Sequence, residues 1–386
     1  MIKPPHGFYT VAGKDYVSKI SAYAAALPNN WLPHWNFHES EFNQVNWSEE
    51  PKESLVELYR QRSLEIRSKY DYIFLSYSGG ADSHNIATSF FKNGLHIDLL
   101  ASRSSSQSYL GNYNIDPKNM GKESLLAALP QSQKLTQYSN NVNFKIIDWG
   151  EDIVKAWEQD NSGASRLEDQ SSFQASSILK RRYHEYVPKI ERFSNPVMLF
   201  GIDKPHIYYI SGKFYMAFMD LPIAAQMMSE ITLDPNNPFT LISYYWHPDS
   251  EKILRKQAHT VIKWFKANPQ FMPLLNFPHR NAQNILPKER ISAYDEIINK
   301  LVYPDYDPTV WQTKKNMGQT FIEEEQWWHN NPDAPAVQKW LKMTKEYSSI
   351  VYDMFSKADQ LQYISEDLRP GFWKLPSCYS KMYAVA

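Results

Sequence analysis

Cysteine is all but missing from this 386-residue chain, which contains only Cys378. That excludes an intrachain disulfide framework and any cysteine-rich zinc or iron–sulfur site built within one chain, and it fits a cytoplasmic compartment. Excess charge is missing too. The 41 Lys and Arg residues against 42 Asp and Glu leave a formal charge of -1, so no global field draws the chain onto nucleic acid or an anionic membrane. No window reaches the length of a membrane-spanning helix, and the opening MIKPPHGFYTVAGKDY has neither a continuous apolar stretch nor a small-residue cleavage pattern. A soluble protein with no membrane partner is expected. Spacings of the His-Glu-x-x-His kind are absent, which predicts no zinc. Internal repeats and low-complexity tracts are absent as well.

Aromatic residues, by contrast, make up 15% of the chain, with 12 Trp and 25 Tyr, a composition suited to dense packing. The length allows two or three domains. Residues up to about Pro51 show no sustained period and read as an irregular cap, after which Leu55, Leu58, Leu64 and Ile66 mark a helix running to about Tyr70. Tyr72 to Tyr77 is a strand-length apolar run that ends at Ser78-Gly79-Gly80. A helix follows from Asp82 or Ser83 to Asn93-Gly94, and then a strand from His96 to Ala101.

Val142 to Asp148 and Val197 to Ile202 read as further strands, with helices expected through Trp157 and from about Ser172 to Phe193. This alternation predicts an α/β fold, a doubly wound parallel sheet. Ile207 to Ile210 and Lys213 to Phe218 flank Ser211-Gly212 as a hairpin appended to that sheet. From Pro248 onward the pattern turns helical, with Leu254, Ala258, Val261, Ile262 and Phe265 on one stripe and Asp249 or Ser250 as cap. Further helices are expected near Ser292 to Val302, Glu323 to Trp328 and Pro335 to Phe355. The expected organisation is a cap and lead-in helix over 1–69, an α/β domain over 70–220 and a mainly helical region over 221–386.

The segment Ser78-Gly79-Gly80-Ala81-Asp82-Ser83 joins a strand to a helix. Adjacent glycines let the backbone approach an anion and aim N–H groups at it, the helix N-terminus adds partial positive charge, and the two serines add hydroxyls. The loop contains no lysine, so cations come from elsewhere. Asp82 beside a polyphosphate makes sense with Mg2+ between the two; the same residue is equally a helix cap.

Read as LSYSGGADSHN from Leu75 to Asn85, this order resembles the PP-loop ATP pyrophosphatase superfamily, also called N-type ATP pyrophosphatases or adenine nucleotide α-hydrolases. Its members include asparagine synthetase, GMP synthetase, NAD synthetase, tRNA thiolation enzymes and the related PAPS reductases. The resemblance covers about residues 70 to 205 and implies a Rossmann-like, HUP-like fold that uses ATP and Mg2+. By that likeness Ser78, Gly79, Gly80, Ala81, Asp82 and Ser83 grip the pyrophosphate end of ATP. A substrate oxygen attacks the α-phosphate, and a nitrogen or sulfur nucleophile then displaces AMP. Adenine is implied at the ends of the first two strands, at Ser76, Tyr77, Ala101 and Ser102. The layout also resembles bacteriophage members of the superfamily, which implies a host cytoplasm.

Gly201-Ile202-Asp203-Lys204-Pro205 ends the fourth strand, where such sheets bind ligands. Asp203 is a candidate second metal carboxylate beside Asp82, and Lys204 a candidate for the missing cation. The segment matches the Gly-x-Gly-x-Asp-Glu run of asparagine synthetases only in part, lacking its second glycine and its Glu, and a Pro-terminated strand with a surface ion pair is the plainer alternative. Arg103, just after the second strand, is a further phosphate candidate, so that Asp82, Lys204 and Arg103 form the expected catalytic set. Lys180-Arg181-Arg182, with Lys189 and Arg192, reads first as a solvated helix face and second as a seat for pyrophosphate or an anionic acceptor. His84 follows the loop, His247 and His259 read as packed or surface residues, and Trp327-Trp328-His329 reads as packing.

The lone cysteine also narrows the reaction. Persulfide, cluster and four-cysteine zinc variants of the superfamily cannot be assembled, and Cys378 lacks the Glu-Cys-Gly-x-His context of PAPS reductases. Amide or amine ligation through an adenylated acceptor, asparagine synthetase-like but without a glutaminase domain, is therefore the expected activity, with ammonia, an amine or a partner glutaminase supplying nitrogen. Alternatives are modification of a tRNA or DNA base, docked on Lys252, Arg255, Lys256, Lys263 and Lys266; a PAPS reductase-like protein of sulfur metabolism; and a nucleotide-binding protein without turnover.

Overall fold

The computed structural model describes residues 6–103, 127–148, 192–201, 204–220, 239–275, 288–307, 349–357, 365–366 and 373–386. Residues 6–50 form defined strands and helices where an irregular cap was expected. β1 (Phe8–Val11) pairs antiparallel with β2 (Lys14–Tyr16) across Ala12-Gly13, and both turn residues have positive φ, as the mirror-image hairpin turns require. Between them and β3 (His34–Asn36), which pairs with the other edge of β1, runs α1 (Lys19–Ala26), whose N-cap Ser18 accepts the Ser21 N–H at 3.2 Å. The one-turn α2 (Glu39–Phe42) follows. Strands of three or four residues are too short to display a period of two, which is why the pattern was invisible in the sequence.

α3 (Leu55–Lys69) starts at Ser54, whose Oγ accepts the Glu57 N–H at 3.2 Å, and it buries Leu58, Tyr59, Ser63 and Ile66. After it comes β4 (Tyr72–Ser76), whose first four residues are buried, as a strand covered on both faces requires. The chain continues through α4 (Ala81–Phe91), β5 (Asp98–Arg103), α5 (Leu129–Lys134), β6 (Phe144–Asp148) and β7 (Pro196–Phe200). It then forms β8 (His206–Ile210), β9 (Lys213–Ala217) and β10 (Thr240–Ser243).

Five of these strands make an all-parallel sheet in the order β10-β7-β4-β5-β6. From the central β4 the chain steps outward to β5 and β6, then returns to the other side of β4 to lay down β7 and β10. The strand order therefore reverses between β4 and β7, and the crevice beyond their carboxyl ends is where open α/β sheets take ligands. The fifth strand comes from beyond residue 220, the expected end of the α/β domain.

The β8–β9 hairpin does form at Ser211-Gly212, but it does not join the parallel sheet. It pairs instead with β13 (Tyr383–Ala384) near the chain end, while β11 (Ser365–Glu366) and β12 (Trp373–Lys374) pair with each other. α6 (Glu251–Ala267) buries Leu254, Ala258, Val261, Ile262 and Phe265 and packs on α3. Ser250 holds its N-cap position without a side-chain bond, and the preceding turn is capped by His247. α7 (Lys288–Val302) packs on α6, and residues 349–357 are helical. No helix among the described residues is long and apolar enough to cross a membrane.

Candidate functional site

β4 delivers the Ser78–Ser83 loop to the switch point. The Tyr77 N–H still reaches Leu100 O at 2.8 Å, after which the chain leaves the sheet. Gly79 turns it with φ of +68°, and a Cβ there would lie 2.6 Å from the backbone of Ala127 and Ala128. Gly80 then takes the N-cap position of α4 with no capping side chain, so the first N–H groups of this eleven-residue helix have no side-chain cap. The serines brace the loop from within. Ser83 Oγ accepts the Ser78 N–H and donates to Gly80 O, each at 3.3 Å, and Ser78 Oγ accepts the Gly80 N–H at 3.3 Å. Gly201, just past β7, closes on the same helix end, since a Cβ there would meet Ser83 N at 3.0 Å.

Asp82, in the first turn of α4, is held from two sides. Tyr303, just beyond α7, donates its hydroxyl to Asp82 Oδ1, and Lys204 Nζ lies 4.0 Å from that oxygen. Lys204 is only 8% exposed, so this is a mostly buried cation rather than a surface ion pair. Burial and then the Asp82 carboxylate push the Tyr303 phenol well above its ordinary pKa, so it stays a donor. Beneath, Tyr245 accepts from Asn85 Nδ2 and donates to Asp82 O, both at 2.9 Å. Among the described residues both contacts to the carboxylate use Oδ1, which leaves Oδ2 for a cation.

Outside the loop lies a cavity of about 20 Å³, room for a water-sized group or two. Its walls are Gly79, Gly80 and Ala81, His84 and Asn85 of α4, Gln131 of α5, and the strap Tyr303, Asp305, Tyr306 and Asp307. The strap is pinned at its middle and far end by ion pairs, Asp305 to Lys92 at 2.6 Å and Asp307 to Lys134 at 2.9 Å. His84 Nδ1 meets the buried Tyr77 hydroxyl at 2.9 Å, and burial lowers its pKa from 6.5 to about 4, so it is neutral at pH 7. Gln131 is 4% exposed, and its Oε1 has no hydrogen-bond partner among the described residues.

The other sequence candidates fall in different places. Ser76 ends β4, and Ala101, Ser102 and Arg103 end the adjacent β5, so their backbones share the carboxyl edge with the loop. Tyr77 is buried and its ring packs against Phe144, leaving only its backbone for a base. Asp203, Lys180, Arg181, Arg182, Lys189 and Trp327-Trp328-His329 lie outside the described residues. Arg192 sits over Phe193, which stacks on Tyr72 at the amino end of β4, the opposite edge from the loop, so it is no pyrophosphate seat there.

The basic face of α6 is compensated. Lys252 pairs with Glu53, Arg255 with Glu251, and both Lys256 and Lys263 with Glu50, while Lys266 lies over the Phe214 ring. His259 is buried against Trp47 O, and Cys378 is a buried free thiol. Sequence reasoning missed Gln131, Tyr303, Asp305, Asp307, Lys92 and Lys134. They lie from about 10 to more than 200 positions from the loop, and none carries a local motif. Among the described residues no group of three His, Cys, Asp or Glu could hold a metal ion, whereas magnesium between phosphates needs only one or two carboxylates.

No protein-family model matches the chain, and a comparison with curated proteins finds no match.

Proposed function

We propose that this protein binds ATP at the Ser78–Ser83 loop and cleaves it between the α- and β-phosphates, adenylating an acceptor and releasing PPi. The observation that carries the reading is the helix end behind Gly79 and Gly80: N–H groups without a side-chain cap at the carboxyl end of the central strand, beside the point where strand order reverses. Cβ-free backbone lets the loop pack on Ala127 and Ala128 at Gly79 and lets the β7 end pack on the start of α4 at Gly201, which together form a cradle.

In this reading the backbone of Gly79, Gly80 and Ala81 takes the pyrophosphate end. Lys204, at the end of β7, neutralises charge at the α-phosphate side. Mg2+, when bound, would be held by Asp82 and would screen the phosphates from one another. Tyr303 orients the Asp82 carboxylate, and adenine lies along the β4 and β5 ends by backbone contact at Ser76, Tyr77, Ala101 and Ser102. The acceptor oxygen attacks the α-phosphorus, the bond to the bridging oxygen breaks, and PPi leaves with the electron pair. Amide or amine ligation then follows as the amine displaces AMP. Base modification of a nucleic acid needs a cationic docking face, and ion pairing on α6 does not favour it.

The test is a nucleotide assay on purified protein with ATP and Mg2+, with metabolite or nucleic-acid extracts added as acceptor sources. AMP and PPi that disappear in Asp82→Ala are expected, whereas ADP and phosphate, or no turnover under any addition, would leave at most a nucleotide-binding protein.

A further inference from the structure

The loop contains no lysine, yet two lysines are paired with carboxylates that line its cavity. Lys92, next after α4, and Lys134, the last residue of α5, pair with Asp305 and Asp307, which line the cavity together with Gly79, Gly80 and Ala81. Carboxylates that share a small cavity with an uncapped helix end compete with any anionic ligand bound there. Both ion pairs are partly exposed, with 30–49% of each side chain accessible, and exposed pairs of this kind are worth little. Phosphate oxygens fixed by the first turn of α4 make stronger, charge-assisted partners. A second feature of the cavity points to a ligand: the Gln131 amide is buried with its oxygen unmatched among the described residues, and an amide can turn either its C=O or its NH2 to a bound group.

We infer that Lys92 and Lys134 are phosphate-binding cations of this site, and that Asp305 and Asp307 compete with a polyphosphate for them. The Tyr303–Asp307 strap is thus an internal competitor, released when phosphate takes the lysines. This rests on the loop being a phosphate cradle. Tyr303 couples the same strap to Asp82, so a phosphate that frees the lysines also alters the support of that carboxylate.

The experiment is calorimetric titration of the full chain with inorganic pyrophosphate and with ATP, comparing wild type, Asp305→Asn/Asp307→Asn and Lys134→Met. The double variant is expected to bind pyrophosphate about fivefold tighter and Lys134→Met severalfold weaker, with both differences shrinking as salt is added. A purely structural strap predicts no gain in affinity. Wild-type binding with equal or weaker binding by the double variant overturns the competition alone. If neither protein binds pyrophosphate or ATP, the cradle reading falls and this inference with it. Should the double variant lose cooperative unfolding, Asp307→Asn at the more exposed pair makes the same comparison, with about a twofold gain expected.

Discussion

Gly79 carries two constraints at once: a φ of +68° and backbone of Ala127 and Ala128 within 2.6 Å of where a Cβ would stand. Left-handed backbone costs an L-residue about 1–2 kcal/mol, and overpacking against immovable main chain adds about 1–3 kcal/mol. Gly79→Ala is therefore expected to lose roughly 2–5 kcal/mol in urea unfolding and to weaken nucleotide binding beyond what that loss explains. A neutral substitution would show that the loop is not locked against Ala127–Ala128. The same backbone demand made the loop readable in sequence, because two glycines between an apolar run and a helix have few other uses. Tyr303 and Gln131 had no such signature. A tyrosine and a glutamine are ordinary residues, and only the fold decides that one touches Asp82 and the other lines the cavity.

Elements far apart in sequence are joined by a buried ion pair. Lys19 of α1 lies 2.9 Å from Asp220, and neither is more than 5% exposed. Tyr9 of β1 donates to the same Oδ2 at 3.0 Å, and the Cys378 N–H donates to Oδ1 at 2.8 Å, so the first strand, the first helix, the segment after β9 and the chain end meet on one carboxylate. Breaking such a pair strands a buried charge, at about 3–5 kcal/mol. Lys19→Met and Asp220→Asn should each cost about that much, while the double variant costs clearly less than their sum, because no unpaired ion remains. Additive losses in urea midpoints would mean that the two side chains act independently. None of this contact was visible in the sequence. β4, β5, β7 and the β8–β9 hairpin were legible as elements because each is a run of apolar residues bounded by turn signals. The partner of the hairpin was not, since β13 has two residues and lies about 170 positions away.

At the scale of the whole molecule, the buried histidines among the described residues set the response to acid. His6, His38 and His247 converge where the first fifty residues meet the segment after β10, with the His38 and His247 rings 6.2 Å apart. Burial lowers His6 to about 3 and His247 to about 4, and it lowers His38 as well. Arg62 reinforces the shift at His247, while Asp249 and Glu65 oppose it there and Glu41 opposes it at His38. His84 at the loop, at about 4, and His259 under Trp47 are lowered too, again by burial. Each of these groups takes up a proton near pH 6.5 in the unfolded chain but only at lower pH in the fold. Their contribution is therefore complete above pH 6.5 and is lost as pH falls toward about 4, by at most ~1.4 kcal/mol per pH unit for each histidine. His96, raised by its bond to Asp98, works the other way, and the lowered carboxylates Glu65, Asp98 and Asp249 hold their contribution until the pH is below the ordinary carboxylate range. The window between pH 6.5 and 4.5 is thus governed by histidine. His247 adds a local consequence, because its Nδ1 accepts the Asp249 N–H at 3.1 Å and a protonated ring cannot. Urea midpoints should stay level from pH 8 to 7 and fall steeply from pH 6.5 to 5, with the fall reduced in His247→Gln. A flat profile across that window would show that these rings are hydrated, and that residues 6–50 do not pack against the segment after β10 as the structure has them.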